Sequence, residues 1–307
     1  MTEVKPQKFI WFDGELVKWK DAKIHVVSHV IHYGTGVFEG IRAYKTDKGS
    51  AIFRLKEHLK RFYYSAKVYR MNIPYNLDEL VEACKLVVRE NGLNNAYIRP
   101  IALKDCADMS LNAKDYPVRV AIAAWHWKTY LGEAYIKGCR CKVSSWRRIP
   151  PFSLPVAAKA CGHYLNSQIA RMEADVDGYD EAIMLDYRGF ISEGSGENIF
   201  LVKNGELFTP PVHASILVGV TRDTLIKISK DSGYRVYERD LTLSELYFAD
   251  EAFFAGTAAE VTPIVEVNGI KIGDGRPGKI TKKLQKMYED AVRGRIGKYI
   301  QWLTFVK

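Results

Sequence analysis

The sequence predicts an α/β protein of the α+β kind in two domains, on three observations. The first part sets two helix-spaced segments among strand-like runs. The last part is rich in short strands joined by hairpin turns. Between them, Trp125, Trp127, Tyr130 and Tyr135 crowd into a stretch without clear period. We therefore expect a smaller N-terminal α+β domain over 1–124, an interdomain connection over 125–138 and a larger strand-rich domain over 139–307. The 307 residues are enough for two buried cores.

The elements follow in order. Asp13-Gly14 predicts a hairpin joining Phe9–Phe12 to Leu16–Trp19. Leu55, Leu59, Phe62, Ala66 and Tyr69 recur at helical spacing. Asn76 and Glu79 stand at capping-box spacing before Leu80, Val81, Cys84, Val87 and Val88, and Gly92 is the stop. Tyr97–Leu103 and Val118–Trp125 read as strands. Beyond the connection, strands are expected at Cys141–Ser144, Ala182–Leu185, Ile199–Val202, Glu206–Phe208 and Glu251–Ala255. Asn204-Gly205 and Asn268-Gly269 favour antiparallel hairpins. Helices are expected over Tyr164–Ala174, Thr221–Ser232 and Ile280–Arg293.

Composition narrows the function classes. A hydrophobic fraction of 47% and a charged fraction of 26% are ordinary for a soluble globular protein. No apolar run approaches the roughly 20 residues that cross a bilayer. The first residues lack the apolar core of a signal peptide, so the chain reads as cytoplasmic with no membrane partner. The five cysteines are scattered and fit neither a disulfide framework nor a zinc site. The net charge of +9 is interspersed with acids, and the basic stretch 279–295 carries apolar residues at helical spacing. A packed helix with a solvated face explains it better than a nucleic-acid surface.

Several motifs fail. In Gly34-Thr35-Gly36-Val37-Phe38-Glu39-Gly40 the third glycine comes one residue late for a dinucleotide loop. Ser195 lacks the glycines two residues away that a nucleophile elbow requires. His25, His29 and His32 sit among Val26, Val27, Val30 and Ile31, which favour strand and turn, so no metal site is expected.

Lys159 closes the small, apolar run Leu154-Pro155-Val156-Ala157-Ala158. Removal from water disfavours an ammonium, so such a lysine can supply the free amine that Schiff-base chemistry needs. Pyridoxal 5′-phosphate is the usual partner, and it requires an amine, an acid for its ring nitrogen, a polar group for its phenolic oxygen and a phosphate cradle. Glu193, in the glycine-rich turn Ser192–Asn198, offers the acid. Gly219-Val220-Thr221 opens a predicted helix whose first N–H groups suit an anion. Gly256-Thr257 and Arg61 add phosphate donors.

These residues belong to longer motifs: His32-Tyr33-Gly34-Thr35 with Phe38-Glu39-Gly40-Ile41-Arg42, Ala96-Tyr97-Ile98-Arg99-Pro100, Ala157-Ala158-Lys159, Ser192-Glu193-Gly194, Asn198-Ile199-Phe200, Gly219-Val220-Thr221-Arg222 and Gly256-Thr257-Ala258-Ala259-Glu260. Together they resemble the branched-chain amino acid aminotransferases, of the class IV, or fold type IV, pyridoxal-phosphate enzymes. The resemblance runs from about Phe9 to the last helix. It implies that Lys159 bonds the cofactor and moves the substrate proton, and that Tyr164 and Glu193 bind the phenolic oxygen and ring nitrogen. Arg61, Val220, Thr221 and Thr257 fall at phosphate positions.

By the same resemblance Tyr97, Thr257 and Ala258 hold the α-carboxylate, while Tyr33, Phe38, Gly40, Trp127 and Tyr130 border an apolar side-chain pocket. Arg99 at its margin can pair with the γ-carboxylate of glutamate. The implied activity is amino transfer from leucine, isoleucine or valine to 2-oxoglutarate. Tyr97-Ile98-Arg99 and Thr257-Ala258-Ala259 argue against the D-amino acid aminotransferase, the R-selective amine transaminase and the aminodeoxychorismate lyase of the same fold. Met109 and Leu111 fall on the loop that reaches a neighbouring subunit in the family, which implies a homodimer at least, with a hexamer as the larger alternative. The loop Arg147–Ser153 and the segment Ala107–Leu111 vary within the family, and by the resemblance both border the site.

Overall fold

The computed structural model describes residues 4–127 and 131–306. The chain forms two compact units, neither of them one contiguous segment. The first takes 4–127 together with Ala158–Gly162 and 291–306; the second takes 131–157 and 163–290.

In the first unit the expected hairpin forms from β1 (Phe9–Phe12) and β2 (Glu15–Lys18), with Phe12 opposite Glu15. Asp13 and Gly14 both take positive φ, which matches the twist of the two strands. Next come α1 (His29–Tyr33), β3 (Gly36–Phe38), β4 (Ile41–Thr46) and β5 (Gly49–Phe53). They are followed by α2 (Leu55–Val68), α3 (Leu77–Glu90), β6 (Ala96–Lys104) and β7 (Val118–His126). The sheet runs β5-β4-β6-β7-β1-β2, with β3 also on β6 and the C-terminal strand Leu303–Phe305 on the far edge of β5.

Register decides what each face of this sheet carries. Ile41, Ala43, Ile52, Ala96, Ile98, Val120, Ile122 and Ala124 share a core with Leu59, Phe62 and Ala66 of α2 and Leu80, Cys84 and Val87 of α3. Alternation then puts Phe38, Arg42, Tyr97, Arg99 and Trp125 on the opposite face, since Arg42 and Trp125 both stand opposite Tyr97. The capping box at Asn76 and Glu79 is present at the start of α3.

The 25–32 stretch departs from expectation. Its β-branched residues favour strand and turn; Val26 and Val27 do lie in a turn, yet His29–Tyr33 is helical. His29 is buried, with Nδ1 2.7 Å from Thr35 Oγ1 and Nε2 3.1 Å from the Ser110 carbonyl, and Gly34 closes the turn at φ 66°. Tertiary hydrogen bonds override local propensity there.

The second unit comprises α4 (Ala134–Lys137), β8 (Cys139–Val143), α5 (Tyr164–Val176), β9 (Glu181–Leu185), β10 (Ile191–Gly194), β11 (Asn198–Lys203) and β12 (Glu206–Thr209). It continues with α6 (Val220–Asp231), β13 (Val236–Glu238), α7 (Leu243–Tyr247), β14 (Glu251–Gly256), β15 (Glu260–Val267) and β16 (Ile270–Lys271); α8 (Lys279–Val292) runs from this unit into the first. The sheet order is β10-β9-β8-β15-β14-β11-β12-β13, with β16 on β15. Both Asn-Gly hairpins form, each with positive φ at Asn and Gly. The sheet is nonetheless mixed, because β8 runs parallel to β9 and β15, and β12 parallel to β13.

Both faces of this sheet are covered. Ala182 and Met184 of β9 pack on Ala170 and Ala174 of α5, whereas Ile183 and Leu185 join Cys139, Cys141, Ile199, Phe254 and Ile264 in a second core. Glu193 was expected on a turn and lies instead on β10, opposite Met184, where the register shifts after Ile191. The turn is confined to the residues between Gly194 and Asn198.

The connection expected over 125–138 holds the end of β7 and the whole of α4. A cut into 1–124 and 139–307 also misses two pieces of the first unit. Ala160 bridges to Val37, and the Phe38 N–H donates to the Lys159 carbonyl at 3.0 Å. Leu303–Phe305 extends the first sheet. Backbone pairing, invisible in composition, recruits both.

Candidate active site

Helix α2 presents His58, Arg61 and Ser65 at spacings of three and four, hence on one stripe. The Lys159 N–H donates to Ser65 Oγ at 2.9 Å, so this stripe and β3 hold the lysine backbone from two sides. Glu39, fully buried, lies in the link from β3 to β4. Arg61 Nε and Nη2 donate to its two oxygens at 2.7 and 2.9 Å. His58 Nδ1 donates at 2.8 Å and the Gly40 N–H at 3.2 Å.

Burial alone would push the Glu39 carboxyl up; Arg61 and then His58 outweigh it and hold it well below the usual carboxylate range. Burial lowers His58 in spite of Glu39, so its ring is neutral at pH 7. Removal from water, and next the Arg61 guanidinium, bring the Lys159 amine down to about 8. Its Nζ lies 5.1 Å from the centre of the Phe38 ring. A lysine with this titration supplies free amine near neutral pH.

On the same sheet face, Arg99 Nη2 donates to Tyr97 Oη at 2.9 Å, and the guanidinium stacks over Phe38 and Tyr97. Trp125 and Trp127 lie against Tyr97, with ring centres 5.2 and 4.6 Å away. Gly40 makes room for this arrangement, because a Cβ there would stand 2.1 Å from Tyr97 Oη. Arg99 Nε and Trp125 Nε1 are buried without a hydrogen-bond partner among the described residues. Orphaned donors of this kind suit an anionic ligand.

The second unit builds around Glu193. Its Oε1 lies 2.9 Å from Arg148 Nη2, and its Oε2 accepts from Asn198 Nδ2 at 3.0 Å and the Leu217 N–H at 3.1 Å. One cation and two dipoles stabilise it as an anion in a buried place. Arg148 is itself fixed by Ser167 of α5 and by its backbone bond to Leu185.

Asn198 also donates to the Leu217 carbonyl, and its Oδ1 fills the space that a Cβ on Gly219 would need, 2.0 Å away. It thereby ties Glu193 to the start of α6, where Val220 and Thr221 lie in the first turn and Gly219 offers no capping side chain. Glu197 packs on Gly256, which precedes Thr257 and Ala258 in the β14–β15 turn. Tyr164 opens α5 and is half-buried.

The structure thus gathers Lys159, Arg61, Phe38, Gly40, Tyr97, Arg99 and Trp127 in one unit, and Glu193, Val220, Thr221, Thr257 and Ala258 in the other. Tyr33 is 46% exposed on α1, where it meets His29 and the Met109 carbonyl. Tyr130 lies outside the described residues. Arg61, expected at a phosphate, is held by Glu39. Sequence reasoning missed Glu39, His58, Ser65, Arg148 and Asn198 as functional groups. The spacing of His58, Arg61 and Ser65 on a predicted helix was the available signal for α2, whereas Arg148 lay in a loop with no period.

Each donor set fits part of pyridoxal phosphate. The first unit offers an amine beside an arginine, and the second an anchored carboxylate, a helix N-terminus and a threonine hydroxyl.

A profile of the amino-transferase class IV family matches residues 36–267. The chain is 50% identical to the branched-chain-amino-acid aminotransferase of Pseudomonas aeruginosa over 299 residues, 97% of each chain. The crystal structure of the Escherichia coli branched-chain amino acid aminotransferase is similar at a TM-score of 0.96 and 48% identity, covering 98% of this chain and 100% of that one. The branched-chain amino acid aminotransferase of Thermoproteus uzoniensis, solved with norvaline, is similar at 0.94 and 46%, covering 98% and 100%.

Proposed function

The chain belongs to the class IV aminotransferases, and from that premise we propose that it transfers amino groups from branched-chain L-amino acids to 2-oxoglutarate with pyridoxal 5′-phosphate as cofactor. The observation that carries the reading is the Lys159 amine, brought down to about 8 beside Arg61, in a chain with these relatives. Pyridoxal phosphate, when bound, supplies a ring that withdraws electrons from the substrate Cα.

The chain's own residues then divide the work. Lys159 provides the free amine and carries the proton to and from Cα. Glu193, held by Arg148, Asn198 and Leu217, would keep a proton on the ring nitrogen, and Tyr164 would take the phenolic oxygen. Arg61, the first N–H groups of α6 at Val220 and Thr221, and the Thr257 hydroxyl are the groups that would bind the phosphate. Tyr97 and the Thr257-Ala258 turn orient the α-carboxylate. Phe38, Tyr33, Trp127 and Tyr130 exclude water around an aliphatic side chain. Arg99 pairs with the γ-carboxylate of glutamate at the rim of that apolar surface.

The reading includes a cytoplasmic homodimer or a larger assembly such as a hexamer. Leu111, 81% exposed, and Met109 offer the surface for a second copy. No helix among the described residues is long and apolar enough to cross a membrane.

An amino-donor panel tests the substrate. L-leucine, L-isoleucine and L-valine should transfer nitrogen to 2-oxoglutarate, and Lys159→Ala should abolish both the turnover and the visible absorbance that develops with the cofactor. Activity limited to D-leucine or (R)-phenylethylamine would overturn the substrate assignment.

A further inference from the structure

We propose that Glu39 is a positioning residue, which aims the Arg61 guanidinium and supplies the negative charge that balances it beside the Lys159 amine. The proposal rests on the cofactor reading above for its phosphate half alone.

The geometry is specific. A bidentate contact at 2.7 and 2.9 Å fixes the plane of the guanidinium, which a single bond would leave free to rotate. Glu39 cannot swing away, since His58 Nδ1 and the Gly40 N–H hold the same oxygen that receives Arg61 Nη2. The carboxylate is fully buried, so water does not screen it. Its backbone neighbour Phe38 bonds the Lys159 carbonyl, and Ser65, on the stripe with His58 and Arg61, bonds the Lys159 N–H. One carboxylate therefore acts on the phosphate arginine and on the amine through a single rigid corner.

The charges around Lys159 explain why a compensating anion is needed. His58 and Arg61 come from α2, Tyr97 and Arg99 from β6, and Glu39 from the β3–β4 link. His58 is neutral, so two arginines face the amine and Glu39 is the carboxylate opposing them. Without it the ammonium form would be disfavoured further, and Arg61 would lose the bidentate contact that fixes its plane.

Two variants separate the two roles. Glu39→Gln keeps shape and removes charge; Glu39→Asp keeps charge and withdraws the carboxylate by one methylene. The first readout is the titration of Lys159 in cofactor-free protein, followed by the pH dependence of its reductive methylation and localised by peptide mass spectrometry. The second is the ratio of affinities for pyridoxal 5′-phosphate and for pyridoxal, which lacks the phosphate.

Glu39→Gln should lower the Lys159 titration by about one pH unit and reduce the phosphate-dependent ratio about tenfold or more. Glu39→Asp should leave the titration near that of the parent protein while reducing the ratio. Equal loss of both affinities would indicate a merely structural role and overturn the proposal, as would a folded Glu39→Gln with neither readout changed. If Glu39→Gln does not fold, an unchanged ratio in Glu39→Asp overturns the aiming role. A parent protein that binds neither pyridoxal compound refutes the cofactor reading, and the titration still decides the charge-balancing role.

Discussion

A methyl group at position 40 would stand 2.1 Å from the phenolic oxygen of Tyr97, well inside contact distance. Gly40 has no positive φ, so its demand is for space and not for backbone freedom. Gly40→Ala must move Tyr97, and with it the hydrogen bond from Arg99. We expect kcat/KM for L-leucine to fall by about tenfold or more, the equivalent of about 1.4 kcal/mol in the transition state, with cofactor affinity kept. Steady-state kinetics and a cofactor titration check this, and loss of cofactor affinity in parallel would contradict it. In the sequence, small apolar neighbours made Lys159 a candidate and the family motifs singled it out. Arg148 was not, because its role exists only where Glu193 Oε1 lies 2.9 Å away.

Elements with strong local signals came out as read. Helix α3 is bounded by a reciprocal box in which Asn76 accepts from the Asp78 and Glu79 N–H groups and Glu79 accepts from the Asn76 N–H. Asn76→Ala should cost about 1 kcal/mol of stability and lower the denaturation midpoint without changing kcat, since the cap is exposed. A changed kcat at full cofactor loading would place α3 closer to the chemistry than we do. Elements with contradictory signals did not come out as read. Valines around His29 argue for strand, and His29 instead folds a short helix through its bonds to Thr35 and Ser110. Acid and glycine around Glu193 argue for a turn, and pairing with Met184 makes a strand. In both places a long-range partner outweighs a local preference worth well under about 1 kcal/mol per residue.

Across the whole molecule, the Lys159 amine links pH to stability. It titrates at about 8 in the folded cofactor-free chain, against 10.5 for an ordinary lysine. Between those values the unfolded chain binds more protons, so stability from this group is full above 10.5 and is lost as pH falls through 8. Lys159→Met removes the effect. Its melting temperature in the cofactor-free state should exceed the parent's at pH 7, and the gap should narrow as pH approaches 10.5. A gap independent of pH would exclude the linkage. Residues near one another in the chain determined much by themselves: the hairpins at Asp13-Gly14, Asn204-Gly205 and Asn268-Gly269, the boundaries of α3, and the succession of motifs that places the chain in its family. Turns, caps and periodicity act over a few residues, so a sequence displays them. Only the tertiary structure decided that Ala158–Gly162 and the C-terminal strand belong with the first sheet, that β8 lies parallel between β9 and β15, and that the buried Glu39 and His58 join Arg61 in the unit that holds Lys159. Such pairings are set by backbone hydrogen bonds and buried charge between residues far apart in the chain, and no local pattern records which distant partner will satisfy them.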